Sequence, residues 1–181
     1  MTQPSSNHSI SQRLQAVIDS DRHPKSSVAQ GTPSFDYQQL SEQLAGLISD
    51  ESDRIANLAN CTALLWRELS NINWLGFYLL KRNTLALGPF QGKPACSRID
   101  VGKGVCGTAA QMLKTIIVAD VHQFPGHIAC DAASKSEIVL PVISEGKLIA
   151  VLDIESPEVD RFDHHDQQGL ELIIRTLLPH L

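Results

Sequence analysis

Residues 136–156, SEIVLPVISEGKLIAVLDIES, read as two β-strands, Ile138 to Ile143 and Leu148 to Ile154, joined around Glu145-Gly146. Side chains alternate across a strand, so the register of this hairpin sorts its residues between two faces. A two-residue turn opposes Ile138 to Asp153, whereas a three-residue loop opposes Ile138 to Ile154 and Glu137 to Glu155. Only the second gathers Ile138, Leu140, Val142, Leu148, Ala150, Leu152 and Ile154 on one uniformly apolar face. It is therefore the expected register, and it places Glu137, Asp153 and Glu155 together on the opposite face.

Outward from the hairpin, Asp163 is a plausible N-cap for a C-terminal amphipathic helix that buries Leu170, Ile173, Ile174, Leu177 and Leu178. Upstream, Thr115 to Val118 reads as a short strand. The segment from Asp120 to Ser134, with Pro125 and Gly126, is too long and too rich in small residues for a simple connection and reads as a functional loop. Gly102-Lys103-Gly104 precedes a short helix from Val105 to Leu113. Asn73 to Leu80 and Leu85 to Phe90 are strand partners across a polar turn at Arg82-Asn83. Two helical stripes open the globular part: Tyr37, Leu40, Leu44, Leu47 and Ile48, then Ile55, Leu58, Ala59, Thr62, Leu65, Trp66 and Leu69. Residues 1–34 are polar, apart from a possible short helix over residues 10–20, and read as a flexible N-terminal arm. The domain proper spans 35–181. Helices at both ends of hairpin-connected strands make an α+β fold, an antiparallel sheet with helices packed on one face.

With 43% hydrophobic and 19% charged residues, the 181-residue chain has the composition of one soluble globular domain. A net charge of −5 argues against a nucleic-acid or anionic-membrane surface, both of which need clustered Lys and Arg. No apolar run is long enough for a transmembrane helix, and the first residues lack a secretory signal pattern. The expected location is the cytoplasm. There, four cysteines are more often thiols, ligands or redox catalysts than structural bridges.

Cys96, Cys106 and Cys130 all lie in loop or helix-start segments near Gly and Pro, whereas Cys61 lies within a helix stripe. A helix N-terminus favours the reactive thiolate, so Cys106 is expected to be the more acidic thiol. Asp131 should raise the pKa of its neighbour Cys130. Each cysteine alone could also be a small buried hydrophobe. His122, His127 and Cys130 could join Cys96 or Cys106 around zinc, but the close Cys-x₂-Cys spacing of structural sites is missing, and no metal is expected. Three carboxylates in one patch repel one another, so at least one should stay protonated near neutrality. Such an acid could donate a proton beside a pocket for a cationic amine, although a solvated strand end would look the same. Trp74 and Tyr78 share one strand face, as core residues or as two walls of a ligand cage.

The segments Asn73-Trp74-Leu75-Gly76-Phe77-Tyr78, Leu87-Gly88-Pro89-Phe90-Gln91-Gly92, Gly102-Lys103-Gly104-Val105-Cys106-Gly107-Thr108-Ala109, Gly126-His127-Ile128-Ala129-Cys130-Asp131 and Ser136-Glu137-Ile138-Val139-Leu140-Pro141 resemble the free methionine-R-sulfoxide reductases, a catalytic branch of the GAF fold. The resemblance runs from about residue 35 to the C-terminus. It implies a sheet of about six strands with the N- and C-terminal helices on one face. It further implies a sulfoxide pocket walled by Trp74 and Tyr78, with Glu137, Asp153 and Glu155 binding the amino group and the sulfoxide oxygen. Redox roles follow for Cys96, Cys106 and Cys130, with Cys130 as nucleophile and Cys96 as resolving thiol. Electrons are implied to come from thioredoxin, and so indirectly from NADPH through thioredoxin reductase, with no bound cofactor, in a homodimer. The family's last-strand motif usually reads Leu-Asp-Ile-Asp, whereas this chain has Leu152-Asp153-Ile154-Glu155, which keeps the charge on a longer side chain. The rival reading is a non-catalytic GAF module sensing a small ligand or redox state.

Overall fold

A computed structural model describes residues 35–126 and 132–181. The arm expected over residues 1–34 lies outside the described residues. Two helices come first, α1 (Tyr37–Ile48) and α2 (Arg54–Glu68), and each starts where an aspartate caps it. The Asp36 carboxylate accepts from the Gln39 N–H, and that of Asp53 from Ile55 and Ala56, satisfying donors that the first turn leaves without partners. The strands β1 (Trp74–Lys81), β2 (Thr84–Gly92) and β3 (Arg98–Asp100) follow, then α3 (Gly104–Met112), β4 (Ile116–Val118), β5 (Ser136–Ser144), β6 (Lys147–Ser156) and α4 (His164–Leu177). Asp163 caps α4 through a reciprocal pair of bonds with Asp166, so the predicted N-cap position holds.

All neighbouring strands pair antiparallel, in the order β3-β2-β1-β6-β5-β4. β3 was not anticipated. Three residues are too few to carry a periodic signal, and this edge strand exists because Arg98 to Asp100 pair with Thr84 to Ala86.

The β5–β6 hairpin has the expected pairs, Ile138 with Ile154 and Glu137 with Glu155. The three-residue loop proposed to produce them is absent. Ser144 pairs with Lys147 around a two-residue turn, with Glu145 at φ 50° and Gly146 at φ 75°. Positive φ at both central residues gives the turn whose twist matches a hairpin. The register then slips between Val142, paired with Ala150, and Ile143, paired with Leu148. This bulge absorbs the odd residue and lets a tight turn coexist with an uninterrupted apolar face. It also moves Leu148, which was expected beside Ile138, to the opposite side of the sheet.

The helix-covered face buries Leu75 and Phe77 of β1, Ile138, Leu140 and Val142 of β5, and Ala150, Leu152 and Ile154 of β6 beneath α1, α2 and α4. The other face is covered by α3 and carries a second cluster, including Trp74, Tyr78, Val105, Cys106, Ala109, Val139 and Val151. Among the described residues no helix is long and apolar enough to cross a membrane.

Cys61 belongs to the first cluster, fully buried on α2, and burial pushes its thiol up to about 12. A thiol held neutral inside a helix-packed core is a packing group. Cys61→Ser is therefore expected to keep wild-type turnover per folded molecule while lowering stability by about 1–3 kcal/mol through a buried hydroxyl. Activity assays paired with thermal denaturation check both parts. A large activity loss in a folded Cys61→Ser protein would contradict the assignment.

Candidate active site

The α3-covered face of the three central strands gathers most of the candidate site residues. Pairing of Trp74 with Glu155, and of Glu137 with Glu155, brings β1, β6 and β5 into line at one end of the sheet. Strand alternation then sets Trp74 and Tyr78 on β1, Asp153 and Glu155 on β6, and Glu137 on β5 facing the same way. Glu137 and Asp153 are buried, whereas Glu155 is half-buried.

Cys106 reaches this group from the first turn of α3, which packs against β5 and β6. Its Sγ donates to Asp153 Oδ2 at 3.1 Å. Ligand atoms of Cys106, Glu137 and Asp153 all lie within 4.8 Å of one another. Burial, then the charge of Asp153, holds the Cys106 thiol well above its ordinary range. The expectation that Cys106 is the acidic thiol is thus overturned. The helix N-terminus is real, but the side chain is buried beside Asp153 and Glu137, and desolvation with like charge outweighs a dipole effect of about 1 kcal/mol.

The carboxylates respond in the same way. Burial, then the neighbouring Glu155 charge, pushes Asp153 up to about 8. Burial and the charge of Asp153 hold Glu137 well above the usual carboxylate range. Both groups keep protons at pH values where an exposed acid has lost them. The Oδ1 atom of Asp153 has no hydrogen-bond partner within the described structure. Such a buried, unsatisfied acceptor is costly, and a donor from a bound molecule would relieve it.

Trp74 and Tyr78 stack with ring centroids 5.8 Å apart, and Phe90 also stacks on Trp74, at 5.7 Å. Trp74 Nε1 donates to the Lys93 carbonyl at 3.0 Å, which fixes the indole plane. Glu155 accepts from the Ser134 hydroxyl, and Ser134 accepts from Asn73 Nδ2 at 3.0 Å. Together these groups set stacked aromatic rings beside a cluster of acids, an arrangement chemically suited to a cation or a proton-accepting oxygen.

A model of the GAF domain family matches residues 57–177. The free methionine-R-sulfoxide reductase of Escherichia coli is 52% identical over 141 residues, 78% of this chain and 86% of that protein. The chain belongs to the free methionine-R-sulfoxide reductase family. The reductase of the same name from Saccharomyces cerevisiae is 46% identical, over 77% of this chain and 82% of its own. Staphylococcus aureus fRMsr, solved in complex with substrate, superposes with a TM-score of 0.78 at 52% identity, covering 86% of this chain and 99% of that one.

Of the residues singled out from sequence, the structure gathers Trp74, Tyr78, Cys106, Glu137, Asp153 and Glu155 on one face. Cys96, in the connection between β2 and β3, packs half-buried against the same cluster and is disulfide-bonded, whereas Cys61 and Cys106 are free thiols. Cys130 and His127 lie outside the described residues, and with them the proposed nucleophile. Among the described residues the cluster able to offer three ligand atoms to a metal is Cys106, Glu137 and Asp153, without His122 or Cys96. Three residues in contact with the candidate site were not singled out from sequence: Ser134 and Asn73, which hold Glu155, and Phe90, which stacks on Trp74. Asn73 and Ser134 meet Glu155 through long-range contacts that no local pattern announces, whereas Phe90 follows from the β1–β2 pairing that sets it opposite Gly76.

Gly76 was quoted only as part of a motif, and its role is steric. A Cβ there would lie 2.5 Å from Phe90 Cβ and 2.6 Å from Trp74 Cη2. The missing side chain lets the indole lie across β1 opposite Asp153, the β6 partner of Gly76. Gly76→Ala is expected to push Trp74 out of its stack and raise KM roughly tenfold, the order expected of a misplaced binding group. Steady-state kinetics and the tryptophan near-UV signal check this.

Proposed function

We propose that this chain reduces free L-methionine-R-sulfoxide to methionine, with Cys130 as nucleophile, Cys96 as resolving thiol and thioredoxin as electron donor. The observation that carries the reading is the buried Glu137–Asp153 pair beneath the Trp74–Tyr78 wall, in a chain of this reductase family. A free amino acid brings an ammonium group and a sulfoxide oxygen. One needs an anion, the other a proton donor, and two adjacent carboxyl groups sharing protons supply both.

In the proposed cycle, an acid of the pair protonates the sulfoxide oxygen and makes sulfur electrophilic. The Cys130 thiolate attacks sulfur, and oxygen passes to the cysteine as a sulfenic acid while methionine leaves, reduced by two electrons. The Cys96 thiol then attacks the sulfenic sulfur, water departs and a disulfide forms. Thioredoxin's dithiol reduces this by exchange, itself becoming the disulfide. That Cys96 is disulfide-bonded while Cys61 and Cys106 are free supports Cys96 as the resolving partner. We further propose a homodimer working without bound cofactor in the cytoplasm, where thioredoxin is kept reduced.

The test is NADPH consumption with thioredoxin, thioredoxin reductase and free L-methionine-R-sulfoxide. Turnover is expected with the R epimer and little with the S epimer, because a fixed acid and a fixed thiolate address one arrangement at the chiral sulfur. No turnover with the R epimer would refute the reading.

A further inference from the structure

We propose that Cys106 is a positioning residue whose S–H bond makes Asp153 the member of the buried Glu137–Asp153 pair that ionises first and leaves the pair's last proton on Glu137. The inference rests on the reductase reading for its catalytic meaning, but not for its geometry. Cys106 is conspicuous as a cysteine at the centre of the site for which the thiol–disulfide cycle has no use.

The Sγ of Cys106 lies 3.1 Å from Asp153 Oδ2, and both residues are buried. Ionising Cys106 would leave a buried thiolate facing Asp153 and Glu155 on β6, Glu137 on β5 and the Tyr78 phenol on β1, with no cation among the described groups acting on it. Burying a further anion among carboxylates is the costliest arrangement available. The proton therefore stays on sulfur, and the thiol is a donor.

A donor distinguishes two otherwise similar acids. A hydrogen bond given to a carboxylate favours its charged form. Cys106 gives its bond to Asp153, and Glu137 has a hydrogen bond with Asp153 that lowers Asp153 and raises Glu137. Asp153 thus receives two donors, whereas Glu137 is left as the acid that can meet a sulfoxide oxygen. The Oδ1 atom of Asp153, without a partner among the described residues, can then accept from a bound ammonium group. The thiol orders the pair, and so decides before substrate arrives which acid gives up its proton first.

The test compares Cys106→Ala and the near-isosteric Cys106→Val, which remove the donor, with Cys106→Ser, which keeps an O–H. The Asp153 carboxyl is followed by NMR titration of ¹³C-aspartate-labelled full-length protein, its signal assigned through Asp153→Asn. Loss of the donor is expected to move the Asp153 midpoint up by about one pH unit, while serine holds it within about 0.3 unit of wild type. The acid limb of kcat/KM should move with it, lowering kcat/KM below the midpoint about tenfold in the alanine and valine variants but not in serine. An unchanged Asp153 midpoint in the folded alanine or valine variant would overturn the proposal. So would a serine variant that shifts as far as alanine, which would mark a packing role. The titration stands even where the wild type fails to reduce the sulfoxide, so the two readings fail separately.

Discussion

Cys130→Ser is expected to abolish even a single turnover, a loss on the order of 10³-fold or more, because no other thiol of the chain can take the nucleophile's place. Cys61 is sealed in the helix-packed core. Cys106 is held protonated among carboxylates. Cys96→Ser behaves differently: it should release about one methionine per subunit and then stall as the sulfenic acid, since the first step needs no resolving thiol. Rapid-quench measurement of methionine formed per subunit, without thioredoxin, separates the two. Peptide mapping after stoichiometric sulfoxide should find Cys96 bridged to Cys130. A burst that survives in Cys130→Ser and vanishes in Cys106→Ser would reverse the assignment and restore the helix-dipole argument.

Glu137→Gln should lower kcat/KM by about 10²–10⁴-fold, the range for loss of a general acid, while the fold becomes more stable at alkaline pH. The sign follows from linkage. Glu137 and Asp153 both have native pKa values raised above their unfolded ones, Asp153 to about 8. Between about pH 4 and 8 the unfolded chain releases protons that the native state retains, so wild-type stability declines as pH rises through that window. Glutamine holds a similar shape without ionising, so the decline should be shallower and Tm at pH 8 higher than wild type. Thermal denaturation from pH 5 to 8.5, alongside kinetics, checks both halves. A wild-type Tm that rises over this range would contradict the protonated pair.

The fold was legible where one short segment carried the whole signal. The apolar stripes of α1, α2 and α4, the Asp163 cap and the strand pairs β1–β2 and β5–β6 all rest on contacts close in sequence. The hairpin was read correctly for a wrong reason. The apolar face demanded Ile138 opposite Ile154, but a bulge met that demand, and Leu148 crossed to the other side. Carboxylate clustering was legible too, since Glu137, Asp153 and Glu155 share a face once the register is set. The thiol environment was not. Cys106 sits at a helix start, which local rules read as acidifying, yet Asp153 is 47 residues away in sequence and only the tertiary fold brings it to 3.1 Å. The Ser134 and Asn73 support of Glu155 was hidden for the same reason.

The most direct test is the ratio of kcat/KM for free L-methionine-R-sulfoxide to that for the same sulfoxide within a peptide, in one thioredoxin-coupled assay. The cluster of buried Glu137 and Asp153 with half-buried Glu155 gains from a charged ammonium group, which favours the ionised form of an acid beside it, and an amide nitrogen leaves those acids without that partner. A preference of at least about 10³-fold for the free amino acid is expected, since a site built to pair with a charged group rejects the analogue lacking it strongly. Comparable values for the two substrates would contradict the account.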